Sequence, residues 1–429
     1  MKSFTIFLVL AAAVLCSTNA FAVPQIVTVS VTGSGADYSN IAAALGAISD
    51  ASSSKPYEIL VYPGIYTGAN NGGWGLAWKS WVSLRGADRE STILRGSTSF
   101  DNIVYPVIDF TGVQGVEVSN ITIDGTTQLA IRDSDFEGSI CVADASIKFS
   151  HVRLINGQDS WSPAFTLTTG GDGCYSSTVG NIVVQDSDIG PVADFGGNWT
   201  IRNTSITAAG DGDAMEYIYA YARVGSEYNG NVMIIGSTLE ARATVYSPSA
   251  STNAVWLGYE GSGAINIIGS SLVANNDTVT PSGVTAPVYN DYNASGMKVT
   301  IQGSELYTVS QSGVSYGAFY GVYEGEGSSV PIVLRASSIQ SFGSGGTRAD
   351  IYNDSAAANV NVEATENATV VGDYGTTTAD SRQGQYSSDL IVPLTSPTLG
   401  PVNGQIWIDT GTNKICYRSG GTTRCVLGS

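Results

Sequence analysis

A spaced pattern of apolar residues recurs along most of this chain and limits its fold more than any other feature. The unit is apolar, any, apolar, four residues, apolar, with small or polar residues in the gap. It reads Val116-Glu-Val-Ser-Asn-Ile-Thr-Ile123 and returns at 147–154, 182–189 and 199–206. The clearest copies are Val232-Met-Ile-Ile-Gly-Ser-Thr-Leu239, Ile265-Asn-Ile-Ile-Gly-Ser-Ser-Leu272, Val299-Thr-Ile-Gln-Gly-Ser-Glu-Leu306 and Ile332-Val-Leu-Arg-Ala-Ser-Ser-Ile339, with a degenerate one starting at Val360. Successive first residues are 31, 35, 17, 33, 33, 34, 33 and 28 positions apart, and a step held near 33 marks a structural repeat.

Each unit offers a short alternating strand, a tight polar turn and a second apolar stretch. None shows the 3.6-residue period of a helix, which excludes helical repeats. A leucine-rich repeat would be denser in leucine, and a propeller blade would need four antiparallel strands per unit. The remaining solution is an all-β coil of parallel strands, a β-helix. Its coils stack about 4.8 Å apart and equivalent residues form ladders. Val232, Ile234 and Leu239 are expected to point into one long core. Ile41-Ala-Ala-Ala-Leu45 is expected to form a short helix before a strand at 58–62, covering the open end.

Composition agrees. Apolar residues make up 43% of the chain and charged residues 13%, with 51 glycines, which is too apolar for a disordered acidic chain and suits a turn-rich β-protein. The formal charge of −18 disfavours nucleic acid and anionic membranes as partners. The single histidine, His151, removes metal sites built on several imidazoles. Any catalysis is therefore expected to run on carboxylates.

Residues 1–22 read as an export signal: Lys2, the apolar run 4–15, then Ala20-Phe21-Ala22 as a cleavage site. No later run is long enough to span a bilayer. The expected organisation is a signal peptide over 1–22, a β-helix domain with its cap over 23–389, and a small meander over 390–429. The expected location is secreted, periplasmic or cell-surface. Cys141, Cys174, Cys416 and Cys425 then make an even set in an exported chain, which suggests two disulfides. Gly420-Gly421 reads as a two-residue hairpin turn, and counting outward pairs Cys416 with Cys425 at a non-hydrogen-bonded position. That leaves Cys141 with Cys174.

Residues 27–96 resemble the start of the pectin lyase-like superfamily, and of pectin methylesterases in particular. The likeness rests on residues 29–35, Tyr38-Ser-Asn-Ile41, Pro63-Gly64-Ile65-Tyr66, residues 82–86 and Ser91-Thr-Ile-Leu94. It implies a right-handed parallel β-helix, a fold that hosts many activities. Methylesterases of this kind use one aspartate as nucleophile and another as acid/base, with glutamines for the oxyanion and an arginine beside the nucleophile. The segment Val192-Ala-Asp194-Phe195 resembles the nucleophile strand, which implies Asp194 as nucleophile, with Asp172 for the acid/base. The family's glutamine elements are missing at those places, and Leu257-Gly-Tyr259 has tyrosine where the arginine is required. The aspartates also suit tight turns, where their side chains bond the local backbone. The paired-aspartate set of polygalacturonases and the arginine element of pectate lyases are absent.

A second constellation lies between the repeats. Trp256-Leu-Gly-Tyr259-Glu260 is followed by Tyr289-Asn-Asp291-Tyr292, Tyr320-Gly-Val-Tyr323-Glu324 and Tyr352-Asn-Asp354, with Tyr219 and Tyr221 ahead of them. Successive coils are expected to stack these on one face. The arrangement reads either as a carbohydrate groove, rings under sugar C–H faces and carboxylates under hydroxyls, or as an aromatic stack filling the solenoid's side. If Glu260, Asp291, Glu324 and Asp354 also stack, their repulsion invites a bridging calcium; no other cofactor is implied. His151 occupies the turn position of Asn120 one coil earlier. Trp74, Trp78 and Trp81 are expected to cover the core near the cap.

The expected function is an exported, non-catalytic β-helix protein that binds polysaccharide or a cell-surface glycan along its solenoid face. The alternatives are a pectin methylesterase-like carboxylic ester hydrolase acting through Asp172 and Asp194, and a purely structural or adhesin-like surface protein. The tail from Gly404 to Arg418 resembles short end modules of phage tail fibres and bacterial surface proteins. A smooth solenoid leaves the oligomeric state open.

Overall fold

The computed structural model describes residues 22–33, 35–71, 76–95, 107–124, 140–142, 144–155, 167–168, 180–190, 192–193, 197–211, 229–245, 252–257, 260–276, 284–290, 295–310, 318–324, 332–335, 337–342, 347–353, 360–363, 406–409, 414–419 and 422–427. They form the expected parallel β-helix. The first sheet has 12 strands, from Gln25–Val29 to Val360–Glu363. The second has 10, from Gly64–Thr67 to Ser338–Phe342. The third side is built in two parts: five strands from Leu76–Ala77 to Val192–Ala193, then four from Thr252–Leu257 to Thr347–Asn353.

Register follows the repeat. Val116, Ile147, Ile182, Trp199, Val232, Ile265, Val299, Ile332 and Val360 are successive Cα partners in one column. The first eight of them are buried, as are Phe149, Ile201, Ile234 and Ile301 two positions along their strands. Each fully buried side chain of this size adds about 1.5–3 kcal/mol of transfer free energy, so the ladder is the main source of cohesion. The 17-residue step from Ile182 to Trp199 is a complete coil. It carries Asn181–Gln185, Asp188–Ile189 and Val192–Ala193 before re-entering the first sheet at Asn198–Arg202.

The turn from first to second sheet explains the Gly-Ser spelling. Its leading residue is left-handed in every coil from Asn120 (φ 51°) through His151, Asp186, Asn203, Gly236 and Gly269 to Gly303 (φ 58°). The next residue is most often a serine or threonine. In the late coils its hydroxyl donates back to the carbonyl two residues earlier and accepts the backbone N–H of the preceding coil. Ser270 Oγ donates to Ile268 O at 3.0 Å and accepts from Ser237 N at 3.2 Å. Ser237, Ser304 and Ser337 repeat the arrangement. Buried backbone donors that would otherwise lack partners are thereby satisfied.

The end cap is the helix Ile41–Ala47. Asn40 caps it by accepting from Ala43 N at 2.7 Å, and Ile41, Ala44 and Leu45 are buried. Lys79 Nζ donates to the carbonyls of Leu45 and Ile48 at its other end, placing a cation where the helix dipole is negative. The tail strands Ile406–Asp409, Lys414–Ser419 and Thr422–Leu427 form an antiparallel sheet. Cys416 is the Cα partner of Cys425, the register counted from Gly420-Gly421.

Candidate functional site

The third side carries the aromatic column. Trp256 pairs with Tyr289, Tyr289 with Tyr323, and Tyr323 with Tyr352. Their spacing along the chain follows the coil step, so one ring recurs per coil. Similar spelling would align Trp256 with Tyr320, but the strands align it, through Tyr289, with Tyr323. Beside the column Val255, Val288 and Val322 are fully buried in the main core and fix the strands.

Two rings of the column serve each other. Tyr289 and Tyr323 stack with centroids 4.8 Å apart and planes 6° from parallel, and Tyr320 stacks on Tyr323 at 5.7 Å. Tyr320 is 5% exposed and Tyr323 8%, and with Ala286 they form a small apolar cluster outside the main core. For this pair the arrangement is the aromatic stack of the two alternatives, because large rings bury area on each other wherever register brings them together. Tyr289 is half-buried and has surface left.

The expected carboxylate stack does not form between Glu260 and Glu324. Glu324 closes a third-side strand, where its partners are Asn290 and Asn353. Glu260 has already turned the corner into the first sheet and pairs with Ser295. One strand ends at Leu257 and the next, in the first sheet, begins at Glu260, so like-spelled acids land on different sides. The row beside the rings is Leu257, Asn290, Glu324 and Asn353, which carries a single carboxylate. Among the described residues no group of three or more His, Cys, Asp or Glu side chains is placed to hold a metal ion. The stacked-acid premise for calcium is thus withdrawn for Glu260 and Glu324.

Asp172, Asp194, Tyr219, Tyr221, Tyr259, Asp291, Tyr292, Asp354 and Cys174 lie outside the described residues. For Asp172 and Asp194 the placed neighbours bear on the esterase reading. Asp194 directly follows the strand Val192–Ala193, and Ala193 pairs with Thr168, four residues before Asp172. The two segments therefore leave the third side from adjacent coils. Cys141 pairs there with Asp109 and Thr168.

His151 sits in the left-handed turn column one coil after Asn120, as its position in the repeat requires. Trp78 is buried, donates from Nε1 to Val82 O at 2.6 Å and packs on Phe110 at 5.5 Å. Trp81 lies over Gly115, where an added Cβ would come within 2.2 Å of the ring. Trp74 lies outside the described residues. One aromatic–acidic pair escaped the sequence reading. On the second sheet Tyr307 Oη donates to Glu305 Oε2 at 2.8 Å, and this bond pushes the phenol above its ordinary range. The signal was alternation: residues two apart share one face of a strand.

No protein-family model and no curated protein matches the sequence. Likenesses to solved structures exist. ORF18 of Geobacillus virus E2 is 13% identical, covering 90% of this chain and 82% of its own, with a TM-score of 0.33. Pectin methylesterase from carrot is 12% identical, covering 75% and 84%, with a TM-score of 0.40. Tailspike protein 3 of bacteriophage CBA120 is 12% identical, covering 89% and 62%, with a TM-score of 0.34. Among these likenesses are an enzyme and a tailspike, so they select no function.

Proposed function

We propose that this chain is an exported β-helix protein that binds polysaccharide or a cell-surface glycan along the third side of its solenoid, without catalysis. The observation that supports this is the in-register column Trp256, Tyr289, Tyr323 and Tyr352, one aromatic residue per coil, with Tyr289 only half-buried. A regular file of aromatic residues suits a chain of repeating sugars. The net charge of −18 favours a neutral glycan over an anionic one. Among the described residues no helix is long and apolar enough to cross a membrane. In an exported setting the facing Cys416 and Cys425 close the tail hairpin as a disulfide.

The test is binding of the mature protein to a panel of neutral and anionic polysaccharides, with Tyr289→Ala as the probe. Retention on a neutral glycan that falls at least tenfold in the variant supports the reading. Equal retention of both proteins, or none, sinks it.

A second reading rests on the adjacent-coil placement of Thr168 and Ala193. These paired residues come four positions before Asp172 and one before Asp194, and an aspartate-pair esterase needs its two aspartates to start from neighbouring places. Methanol release from methylated pectin that disappears in Asp194→Asn would favour it over the binding role.

A further inference from the structure

The outer face of the first sheet breaks the charge pattern of the chain. Six successive strands run there from Asn181–Gln185 to Ile332–Arg335. The positions that alternate with their two buried columns hold three cations, Arg202, Lys298 and Arg335, and no Asp, Glu or aromatic residue. The whole chain has 37 acidic against 19 basic side chains, so this stretch is a local inversion. Acids return on either side: Lys148, one coil earlier, is paired with Glu117 at 3.0 Å, and Glu363, one coil later, is the Cα partner of Arg335. Within the stretch, aliphatic side chains stack in the open. Ile235 and Ile268 are Cα partners, and Met233 lies two positions from Ile235 on the same face. Met233 is 39% exposed and Ile268 38%, with Ile235 half-buried between them. Arg202 precedes Ile235 in its column, and Gln302 and Arg335 follow Ile268, so cations stand at both ends of the aliphatic pair. One flank is closed: Asn231 Nδ2 donates to Asn198 Oδ1 and Asn198 Nδ2 to Asn181 Oδ1, both at 3.2 Å, and Lys298 continues that column.

We infer that this face is an interaction surface for an acidic amphipathic helix of a partner protein. Its carboxylates meet Arg202, Lys298 and Arg335, and its aliphatic stripe covers Met233, Ile235 and Ile268. Charge complementarity selects the occupant. A net charge of −18 sets copies of this chain against one another, whereas an acidic partner finds its cations gathered here. A glycan suits the face less, because it has no ring to lie under a sugar and its aliphatic side chains offer no hydrogen bond. From Arg202 to Arg335 the column runs four coil steps, about 19 Å at about 4.8 Å each. A helix of roughly 13 residues covers that length at about 1.5 Å per residue. A helix laid on a sheet buries the apolar stripe of both. The surface lies on a different sheet from the aromatic column, so it does not rest on the glycan reading.

The experiment is selection on the folded protein from a displayed library of random peptides about 15 residues long. It is run in parallel on two variants, Arg202→Glu with Lys298→Glu and Met233→Ser with Ile268→Ser. All four positions are exposed, and circular dichroism with melting confirms that each variant is folded. The wild type should enrich sequences with aliphatic residues at helical spacing and acids beside them. A selected peptide, synthesised, should bind each variant about tenfold or more weakly, and its affinity for the wild type should fall as salt rises. Should one variant fail to fold, the other decides alone, since each removes one half of the complementarity. No enrichment, enrichment without that pattern, or equal binding to the wild type and a folded variant overturns the inference. An oligogalacturonate that binds the wild type and not Arg202→Glu with Lys298→Glu also overturns it, because the face would then be a site for an anionic glycan.

Discussion

The backbone N–H of Ser237 donates to the hydroxyl of Ser270, 33 residues later and one coil along, at 3.2 Å. That hydroxyl also donates to Ile268 O, so one small side chain ties two coils together at a buried turn. Ser270→Ala leaves the Ser237 N–H short of a partner, while the Ile268 carbonyl keeps the backbone N–H of Gly236 at 2.9 Å. The expected loss is about 1–3 kcal/mol. Ser270→Thr, which mimics Thr204 in the same column, should lose less. Urea unfolding of the two variants checks the order, and equal stability of Ala and Thr would sink the explanation.

Gly269 precedes that serine at φ 56°, with no atom within 4 Å of an added Cβ. Space is therefore not the constraint; backbone conformation is. Gly269→Ala is expected to cost about 1–2 kcal/mol, the penalty of a left-handed L-residue. Gly269→Asn should cost less, because Asn120 and Asn203 hold the same conformation in earlier coils. Thermal melting of both variants decides it, and asparagine melting below alanine would show that the turn column is not a conformational requirement.

The first-sheet register was legible in the sequence because each coil is its neighbour's template. Val232, Ile265 and Val299 announce one column by their spacing alone. The early third side was not legible. Strands as short as Leu76–Ala77 and Ile108–Asp109 carry no period, and only the neighbouring sheets fix where they fall. The Trp256 to Tyr352 column was half legible. Its recurrence was visible, but that Glu260 opens a first-sheet strand while Glu324 closes a third-side one depends on where each strand ends, which like spelling does not show.

Phe149 is fully buried and meets Phe110 edge to face at 6.0 Å, with Trp78 on the far side of Phe110. This file of rings fills the solenoid near its capped end. Phe149→Ala should destabilise by about 3–5 kcal/mol through lost transfer and an unfilled cavity. Phe149→Leu should recover most of that. The measurement is again urea unfolding, and a loss below about 1 kcal/mol for alanine would mean that the coils collapse around the gap.

Asp37 and Asp88 give the fold a pH dependence with a definite sign. Backbone and side-chain hydrogen bonds from Thr28 hold Asp37 below the ordinary aspartate value of 3.8, and the Ser91 hydroxyl does the same for Asp88. The unfolded chain then binds more protons than the native one in that range, so stability rises with pH. The contribution is complete above 3.8 and is lost as pH falls through the lower folded values. Unfolding midpoints measured from about pH 5 down to about pH 2 should therefore fall, and fall less steeply in Asp37→Asn. A variant profile parallel to the wild type would show that the Thr28 bonds do not depend on the charge.

Cys416 and Cys425 are facing Cα partners three steps from the residues that close the hairpin, Ser419 and Thr422. Counting from that closure makes theirs a non-hydrogen-bonded pair, where antiparallel strands approach within reach of a disulfide. In the exported setting proposed above, this pair is expected to carry that bond. Closing so short a loop restrains the unfolded hairpin by roughly 2–3 kcal/mol in the chain-entropy account. Alkylation of the denatured, unreduced protein should leave both cysteines unlabelled, and reduction should expose them together. Labelling of either without reductant would refute the bridge. The paired change Cys416→Ser with Cys425→Ser should loosen the tail hairpin and leave the melting of the solenoid unchanged, since the columns from Val116 to Ile332 do not draw on it.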